Sequence, residues 1–474
     1  MEALEESPSG ALAHVLRMSW PASLTMLNGT LMKFVDGLMV SWVGPVPFAA
    51  QYAGGIASFV PESFFMGVLT VVNTYVSQNY GAGRHGRAGQ YAWAGLLVAA
   101  LAAACLAPLA PAGRGMFLFL ARQAPGPPNL ELVALETMYF RYMVLAAGLA
   151  LSCRVIEQFF YGVHRPRVVL AVSIASNLFN LAADYVLIFG KLGLPALGLE
   201  GAAIATVAAM GLQLGLLLVT FLGRGMRQEF GTAHAAAARW RQCGQIFRLG
   251  WPAGVQLCND IASWAVFSVA LVGLFGEADL AATTAVMRYL GLSFMPAVGI
   301  GMAATAIVGR CIGQGRGDLA RQRTHIALAT AMAYMGLCGV AFWLFREPMV
   351  AFFVRLAPGS SPLAERIVEI GSRVMLLAAI FQLFDAVGIV YAGALRGAGD
   401  TFWPMVATFA ASWVVLVGGG LLAVRFAPGL GSTGPWIAAT AYVILLGLLL
   451  ARRFEGGAWR TIGLLRGAHD GPEA

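Results

Sequence analysis

Two nearly matching phrases lie 231 residues apart in this chain: Arg17-Met18-Ser19-Trp20-Pro21-Ala22 and Arg248-Leu249-Gly250-Trp251-Pro252-Ala253. Further on, Gly81-Ala82-Gly83-Arg84 returns as Gly313-Gln314-Gly315-Arg316, at a spacing of 232. The register therefore holds within one residue over a long stretch. Each copy is dominated by apolar runs. A chain built this way is restricted to two copies of one helical unit.

Composition decides what surrounds those helices. Of 474 residues, 59% are hydrophobic and 11% charged, and the mean hydropathy is +0.73. A soluble chain carries about 25% charged residues. Apolar stretches of about 18 or more residues recur along the whole length, which predicts an all-α polytopic membrane protein. The start carries Glu2, Glu5 and Glu6 rather than a basic n-region, so no cleavable signal is expected. The net charge of +8 is explained by basic residues on the cytoplasmic side of the membrane and not by nucleic acid. The cysteines Cys105, Cys153, Cys243, Cys258, Cys311 and Cys338 form no Cys-x-x-Cys pair and read as small apolar residues.

Twelve spans are expected, near 18–43, 48–78, 90–112, 133–162, 167–190 and 200–223 in the first half and near 249–275, 280–309, 324–345, 364–394, 402–425 and 433–451 in the second. This divides the chain into an N-lobe over 1–223, a polar connector over 224–248 that includes Ala235 to Ala238, a C-lobe over 249–452 and a tail over 453–474. With the N-terminus in the cytoplasm, 19 of the 31 Lys and Arg residues fall inside and 6 outside, and the other 6 lie within or near span ends. That bias satisfies the positive-inside rule and puts both termini in the cytoplasm. Six helices per repeat is an even number, so the two lobes are expected to be related by a pseudo-twofold axis along the membrane normal. Duplicated bundles of this kind are the usual architecture of secondary transporters.

Carboxylates inside spans carry the chemistry, because each costs about 2.5–3.5 kcal/mol at the bilayer centre unless it meets a partner or a wet cavity. Asp36, Asp184, Asp260 and Asp385 lie inside spans one, five, seven and ten, whereas none of the six histidines lies deep in one. Protons crossing this protein would therefore ride on carboxylates. Asn177, Asn180 and Asp184 fall at i, i+3 and i+7, on one helical face. That row offers oxygens to sodium or a hydrogen-bonded site to a proton; the structural alternative is interhelical hydrogen bonding. Lys33 lies one turn before Asp36 and either pairs with it locally or tunes its protonation. Gln256 with Asp260, and Gln382 with Asp385, make a second ion site or structural links. The 231-residue offset puts Arg154 opposite Asp385, so the lobes have diverged in charge there. Glu62 and Glu157 read as snorkelling groups.

Other chemistries lack their residues. The Gly-x-Gly-Arg turns are not phosphate loops, since Lys33 and Lys191 are followed by Phe34 and Leu192 rather than Ser or Thr. They read as helix C-caps in tight turns. Gly211 and Gly215 suggest close helix packing. No His-Glu-x-x-His motif and no Ser–His pair at membrane depth is present, so the chain is not expected to be an enzyme.

Several pieces together resemble the multidrug and toxic compound extrusion (MATE) family, in particular its NorM-like branch. They are Phe34-Val35-Asp36-Gly37-Leu38-Met39, Gly250-Trp251-Pro252, Asn180-x-x-x-Asp184-Tyr185, Gly201-Ala202-Ala203-Ile204-Ala205-Thr206, and Asp385 followed by Gly393-Ala394-Leu395-Arg396-Gly397 and Gly399-Asp400-Thr401. The resemblance runs from about Leu16 to Leu450. It implies two six-helix lobes facing a central cavity that opens alternately to each side, and export of bulky, often cationic, amphipathic compounds in exchange for protons or sodium. It further implies that Asp36, Asn180, Asp184 and Thr206 form an N-lobe coupling site, and that Asp260 and Asp385 fill the acidic positions of the C-lobe, the first more often Glu in that branch. Sodium fits either set, and no cofactor is implied. Lys33 departs from the family pattern. An ammonium beside Asp36 weakens sodium binding and favours protons.

The expectation is therefore a cation-coupled drug exporter of the bacterial inner membrane, in which xenobiotics and lipid are the partners, nucleic acid is not, and a monomer suffices. A lipid-linked sugar flippase of related architecture is the alternative, and the deep acidic set argues against it. Trp264, Tyr289, Phe294 and Phe381 line a cavity or, more in keeping with membrane bundles, serve packing.

Overall fold

In the computed structural model, which describes residues 8–123, 127–233, 240–356 and 362–464, the apolar runs are helices and no strand occurs among the described residues. The helices are α1 (Pro8–Ser41), α2 (Pro45–Leu69), α3 (Val71–Gly81), α4 (His85–Leu106), α5 (Leu109–Gln123), α6 (Leu130–Gly162), α7 (Pro166–Phe189), α8 (Leu199–Phe221), α9 (Arg224–Phe230) and α10 (Trp240–Ala265). They continue as α11 (Glu277–Gly313), α12 (Gly317–Leu356), α13 (Pro362–Ala398), α14 (Phe402–Ala411), α15 (Gly419–Phe426) and α16 (Thr433–Glu455). Among the described residues, eleven helical stretches are long and apolar enough to cross a membrane. Of the twelve expected spans the one absent from that set is the first, in α1, which carries Asn28, Lys33 and Asp36; the short α5 and α9 are absent as well. The twelfth expected span is thus the polar one.

Several boundaries differ from the expected spans. The second span breaks at Thr70 into α2 and α3. The third ends at Leu106, and an additional helix, α5, follows it. Residues 240–248, read as connector, already belong to α10. The Ala235–Ala238 run and the end of the tail lie outside the described residues.

The chain divides into two compact units, Leu24–Gly254 and Met1–Ser23 with Val255–Ala474. Their bounds differ from those expected for the lobes, 1–223 and 249–452: the break between units falls inside α1 and inside α10, two residues after Pro21 and Pro252 respectively. A helix-interior proline removes a backbone hydrogen bond and crowds the preceding turn, so each of these helices carries a local weak point just before the break. The repeated Trp-Pro-Ala phrase marks where each helix leaves one unit for the other.

Within the unit of Leu24–Gly254, α6 is the central helix and packs on α2, α4 and α8. In the other, α13 packs on α11, α12 and α16. The core of the latter is built on buried Ile300, Met335, Tyr391, Leu395 and Phe454 and on Phe267, Phe381, Trp436 and Tyr442. Both Gly-x-Gly-Arg turns are Schellman caps. Gly83 and Gly315 sit at φ 72° and 73°, and the following Arg84 and Arg316 amides donate to Asn79 O and Cys311 O, both at 2.9 Å. Gly211 and Gly215 are not close packing points, since a Cβ at either position meets nothing within 4 Å. Cys153, Cys243 and Cys311 are buried as expected, but Cys105 is exposed.

Candidate functional site

The N-terminal unit brings Asp36 and Asp184 together. Asp36 is near the end of α1 and Asp184 near the end of α7, and the two carboxyl groups face each other at interacting distance. Asp184 is fully buried and Asn180, one turn earlier, nearly so. The surroundings are apolar: Met39, Val40, Ala50, Ile188, Leu199, Ala202 and Ala203 form the local core. Asp36 Oδ1, both carboxyl oxygens of Asp184 and Asn180 Nδ2 are buried without a hydrogen-bond partner. Two facing carboxylates in apolar surroundings repel, and each pays a desolvation cost. A proton or a cation between them removes both penalties.

The remaining members of the predicted set divide. Thr206 is half-buried on α8, and its hydroxyl donates to Ala202 O of its own helix (2.9 Å); its lone pairs remain the contribution it has to offer a cation. Asn177 is a structural link, donating through Nδ2 to Asn28 O on α1 (3.3 Å) while Asn28 Nδ2 donates to Ser173 Oγ (2.9 Å). These bonds hold α1 against α7 and set the approach of Asp36 to Asp184. Lys33 does not form the expected local pair with Asp36. Its ammonium lies over the Phe59 ring, 5.6 Å from the centroid, a cation–π distance, and makes no ion pair with a described carboxylate.

Three residues escape sequence reasoning. Tyr139 on α6 pairs with Gln51 on α2 and lies within electrostatic reach of both Asp36 and Asp184. Nothing in the spacing of α6 marks it, because the contact is tertiary. Glu62 is not snorkelling: it is 9% exposed, and its Oε1 is buried without a partner. Glu157 is not snorkelling either. It accepts from Gln213 Nε2 at 2.9 Å and lies 3.8 Å from Arg154, so the residue opposite Asp385 in the repeat is held in a local ion pair.

In the other unit, Asp260 and Asp385 are half-buried and near enough to interact, and Tyr442 lies within reach of both. Asp260 Oδ1 is buried and unpartnered. Gln256 and Gln382 are structural links, donating to Thr408 Oγ1 (3.1 Å) and Ser293 Oγ (2.7 Å). Next to Asp260, Asn259 donates to Ser412 Oγ and accepts from Trp413 Nε1, at 2.9 and 2.8 Å. This ties α10, which runs on into the π-helical segment at Val266–Leu271, to the π-helical segment Ser412–Gly418. Such bulges are frequent at functional sites. Trp264 and Phe381 belong to the aromatic packing around Trp436, and Tyr289 donates to Met349 O. All three serve packing. Phe294 is exposed at 36%.

Comparison with known proteins adds an independent view of the duplication. The MatE family profile matches residues 21–186 and again 252–420, beginning each time on the proline of the repeated phrase. Among curated relatives, a protein named "Probable multidrug resistance protein NorM" from Burkholderia pseudomallei is 28% identical over 444 residues, covering 94% of this chain and 92% of its own. "Multidrug resistance protein NorM" of Burkholderia vietnamiensis is 29% identical over 441 residues, covering 93% and 92%. Among solved structures, a MATE transporter bound to the compound MaL6 superposes with a TM-score of 0.84 at 20% identity, covering 95% of this chain and 98% of that one. The Vibrio cholerae MATE transporter VcmN superposes at 0.82 with 18% identity, covering 95% and 99%.

Proposed function

The chain belongs to the MatE family, and from that premise we propose that it is a multidrug efflux transporter that exchanges bulky amphipathic, often cationic, compounds for protons by alternating access. The multidrug part of this reading is supported by the NorM relatives, which match it nearly end to end. The proton part rests on one observation: Asp36 and Asp184 face each other in an apolar setting with their oxygens unpartnered. A proton is the smallest particle that resolves this, and Lys33 nearby disfavours a second fixed cation.

The mechanism follows from the charge on the pair. With the site ionised, the carboxylates are held apart and the unit accepts a cationic compound. Entry of a proton from outside neutralises the pair, lets α1 repack on α7 through the Asn28–Asn177 and Asn28–Ser173 bonds, and lowers affinity for the drug, which leaves outward. Coupling needs the proton to change the balance between the two states by its differential binding alone. Asp260 and Asp385 supply a counter-charge for a cationic substrate in the other unit. The protein sits in the bacterial inner membrane with both termini cytoplasmic, and acts as a transporter and not an enzyme, without a resident cofactor.

Ethidium efflux from proteoliposomes tests this, with proton and sodium gradients imposed separately. Efflux driven by protons alone and lost in Asp36→Asn, at equal incorporation, is the expected result. Efflux driven by sodium alone would replace the proton with sodium and shift the site toward Asn180 and Thr206 oxygens or toward Asp260 and Asp385. Proton-driven efflux retained by Asp36→Asn would remove the pair from the mechanism.

A further inference from the structure

Lys33 and Asp36 are one turn apart on α1, and Phe59 and Glu62 one turn apart on α2, so each pair shares a helix face. The Lys33 ammonium over the Phe59 ring brings the two faces together. From there it acts electrostatically on Asp36 and on Glu62 alike, while forming an ion pair with neither. Each of these carboxyls has a buried oxygen without a hydrogen-bond donor: Oδ1 of Asp36 and Oε1 of Glu62. The other titratable groups facing Asp36 are Asp184 from α7 and Tyr139 from α6. Facing Glu62, the charged group is Lys33.

One ammonium on an exposed lysine therefore acts on two carboxyls, half-buried Asp36 and buried Glu62, each of which keeps a buried oxygen without a hydrogen-bond donor. A lysine on its four-carbon stem reaches either in turn. A buried carboxylate left unpaired is costly, so the one that Lys33 does not serve favours a proton. We propose that Glu62 is a second proton-accepting carboxyl of this unit and that Lys33 alternates between it and Asp36. Protonation of Asp36 frees the ammonium for Glu62, and loss of that proton draws the ammonium back to Asp36. The inference rests on the proton-coupled reading above and adds to it a second acid, outside the Asp36–Asp184 pair.

Site-specific labelling tests it without a transported drug, which separates its failure from failure of the efflux reading. Dicyclohexylcarbodiimide modifies protonated carboxyls in apolar surroundings, and peptide mass spectrometry of the purified full chain across a pH series reads Asp36 and Glu62 separately. Both should label, less as pH rises. Glu62→Gln should lower labelling of Asp36 at neutral pH several-fold, because Lys33 then serves Asp36 alone. Lys33→Met should raise labelling at both positions, and in that background Glu62→Gln should change Asp36 no further. This is a double-mutant cycle on the proposed exchange. Glu62→Asp keeps the carboxyl and should label Asp36 like the parent chain. Unlabelled Glu62 at every pH, unchanged Asp36 in Glu62→Gln, or the same fall in the Lys33→Met background would each overturn the proposal. Should Glu62→Gln not elute as a single folded species, Lys33→Met decides alone: unchanged labelling at Glu62 overturns the exchange.

Discussion

Gly299 and Ser23 meet backbone to backbone: a Cβ on Gly299 would come within 2.5 Å of Ser23 Cα. Gly67 meets Gly254 in the same way in the other unit, 2.6 Å from its Cα. Gly67 and Gly299 are 232 residues apart, and Ser23 and Gly254 are 231 apart, so this is one contact written twice in the register of the repeat. In both places it lies at the end of the segment where α1 or α10 passes from one unit to the other. The atoms a Cβ would meet are backbone and not the end of a flexible side chain, so something in the helix pair must shift, and overpacking of this kind costs about 1–3 kcal/mol, occasionally more. Gly67→Ala and Gly299→Ala are each expected to lower the melting temperature sharply in detergent. Gly215→Ala is the control. It has open space around it and should gain up to about 1 kcal/mol from helix propensity.

The two Schellman turns give a purely conformational test. Gly83 and Gly315 have positive φ, and a Cβ at either meets nothing within 4 Å. Any cost of Gly83→Ala or Gly315→Ala therefore comes from the left-handed backbone alone, about 1–2 kcal/mol. The two losses should be equal within about 0.5 kcal/mol and should add in the double variant, which thermal unfolding measures.

Glu455 closes the end of the C-terminal unit. Its Oε2 accepts from Arg321 Nε at 2.8 Å, and Oε1 meets His325 Nε2 at 2.6 Å and the Tyr391 hydroxyl at 2.9 Å. One carboxylate thus ties α12 and α13 to α16. Glu455→Ala strands three donors, two of them on half-exposed side chains that water can serve, so the loss is expected near about 1–3 kcal/mol. Tyr391→Phe removes one donor and leaves the carboxylate served, so it should lose less. Melting temperatures of the two variants check the order.

How much of this is legible in the sequence follows from what kind of signal each feature leaves. Asn180 and Asp184 share a helix face by spacing alone, and the duplicated phrases carry the two-unit plan. The exchange of segments at Ser23 and Gly254 leaves a proline in the sequence but no sign of which helices lie beside it, because a continuous apolar helix does not record its neighbours. Glu62 and Glu157 are hidden for a related reason. Distance to the span ends is a poor guide to their depth, and for Glu62 the break of α2 at Thr70 moves those ends. Tyr139 reaches the carboxyl pair from α6 and is itself met by Gln51 of α2, a tertiary fact that no local pattern encodes. Gln256 and Gln382 are the reverse case. Their spacing from a carboxylate resembles a site, while their bonds to Thr408 and Ser293 make them packing links.

Asp184 sets stability against function. Its carboxyl is buried with both oxygens unpartnered and a second carboxyl facing it, so the ionised side chain works against the fold. An asparagine in its place has the same shape, carries no charge and brings two donors toward Asp36. Asp184→Asn is therefore expected to stabilise the protein by about 1–3 kcal/mol, the cost of an unsatisfied buried polar group, and to raise the melting temperature. The same change removes a proton acceptor from the pair, so proton-driven ethidium efflux should be lost. Alanine at the same position discriminates the causes: it removes the charge but opens a cavity and leaves Asp36 without a donor, so Asp184→Ala should lose transport without the stability gain. A variant Asp184→Asn that melts lower than the parent chain would show that the ionised carboxylate is held by a favourable partner, such as a bound cation, and would move the coupling ion from proton to sodium.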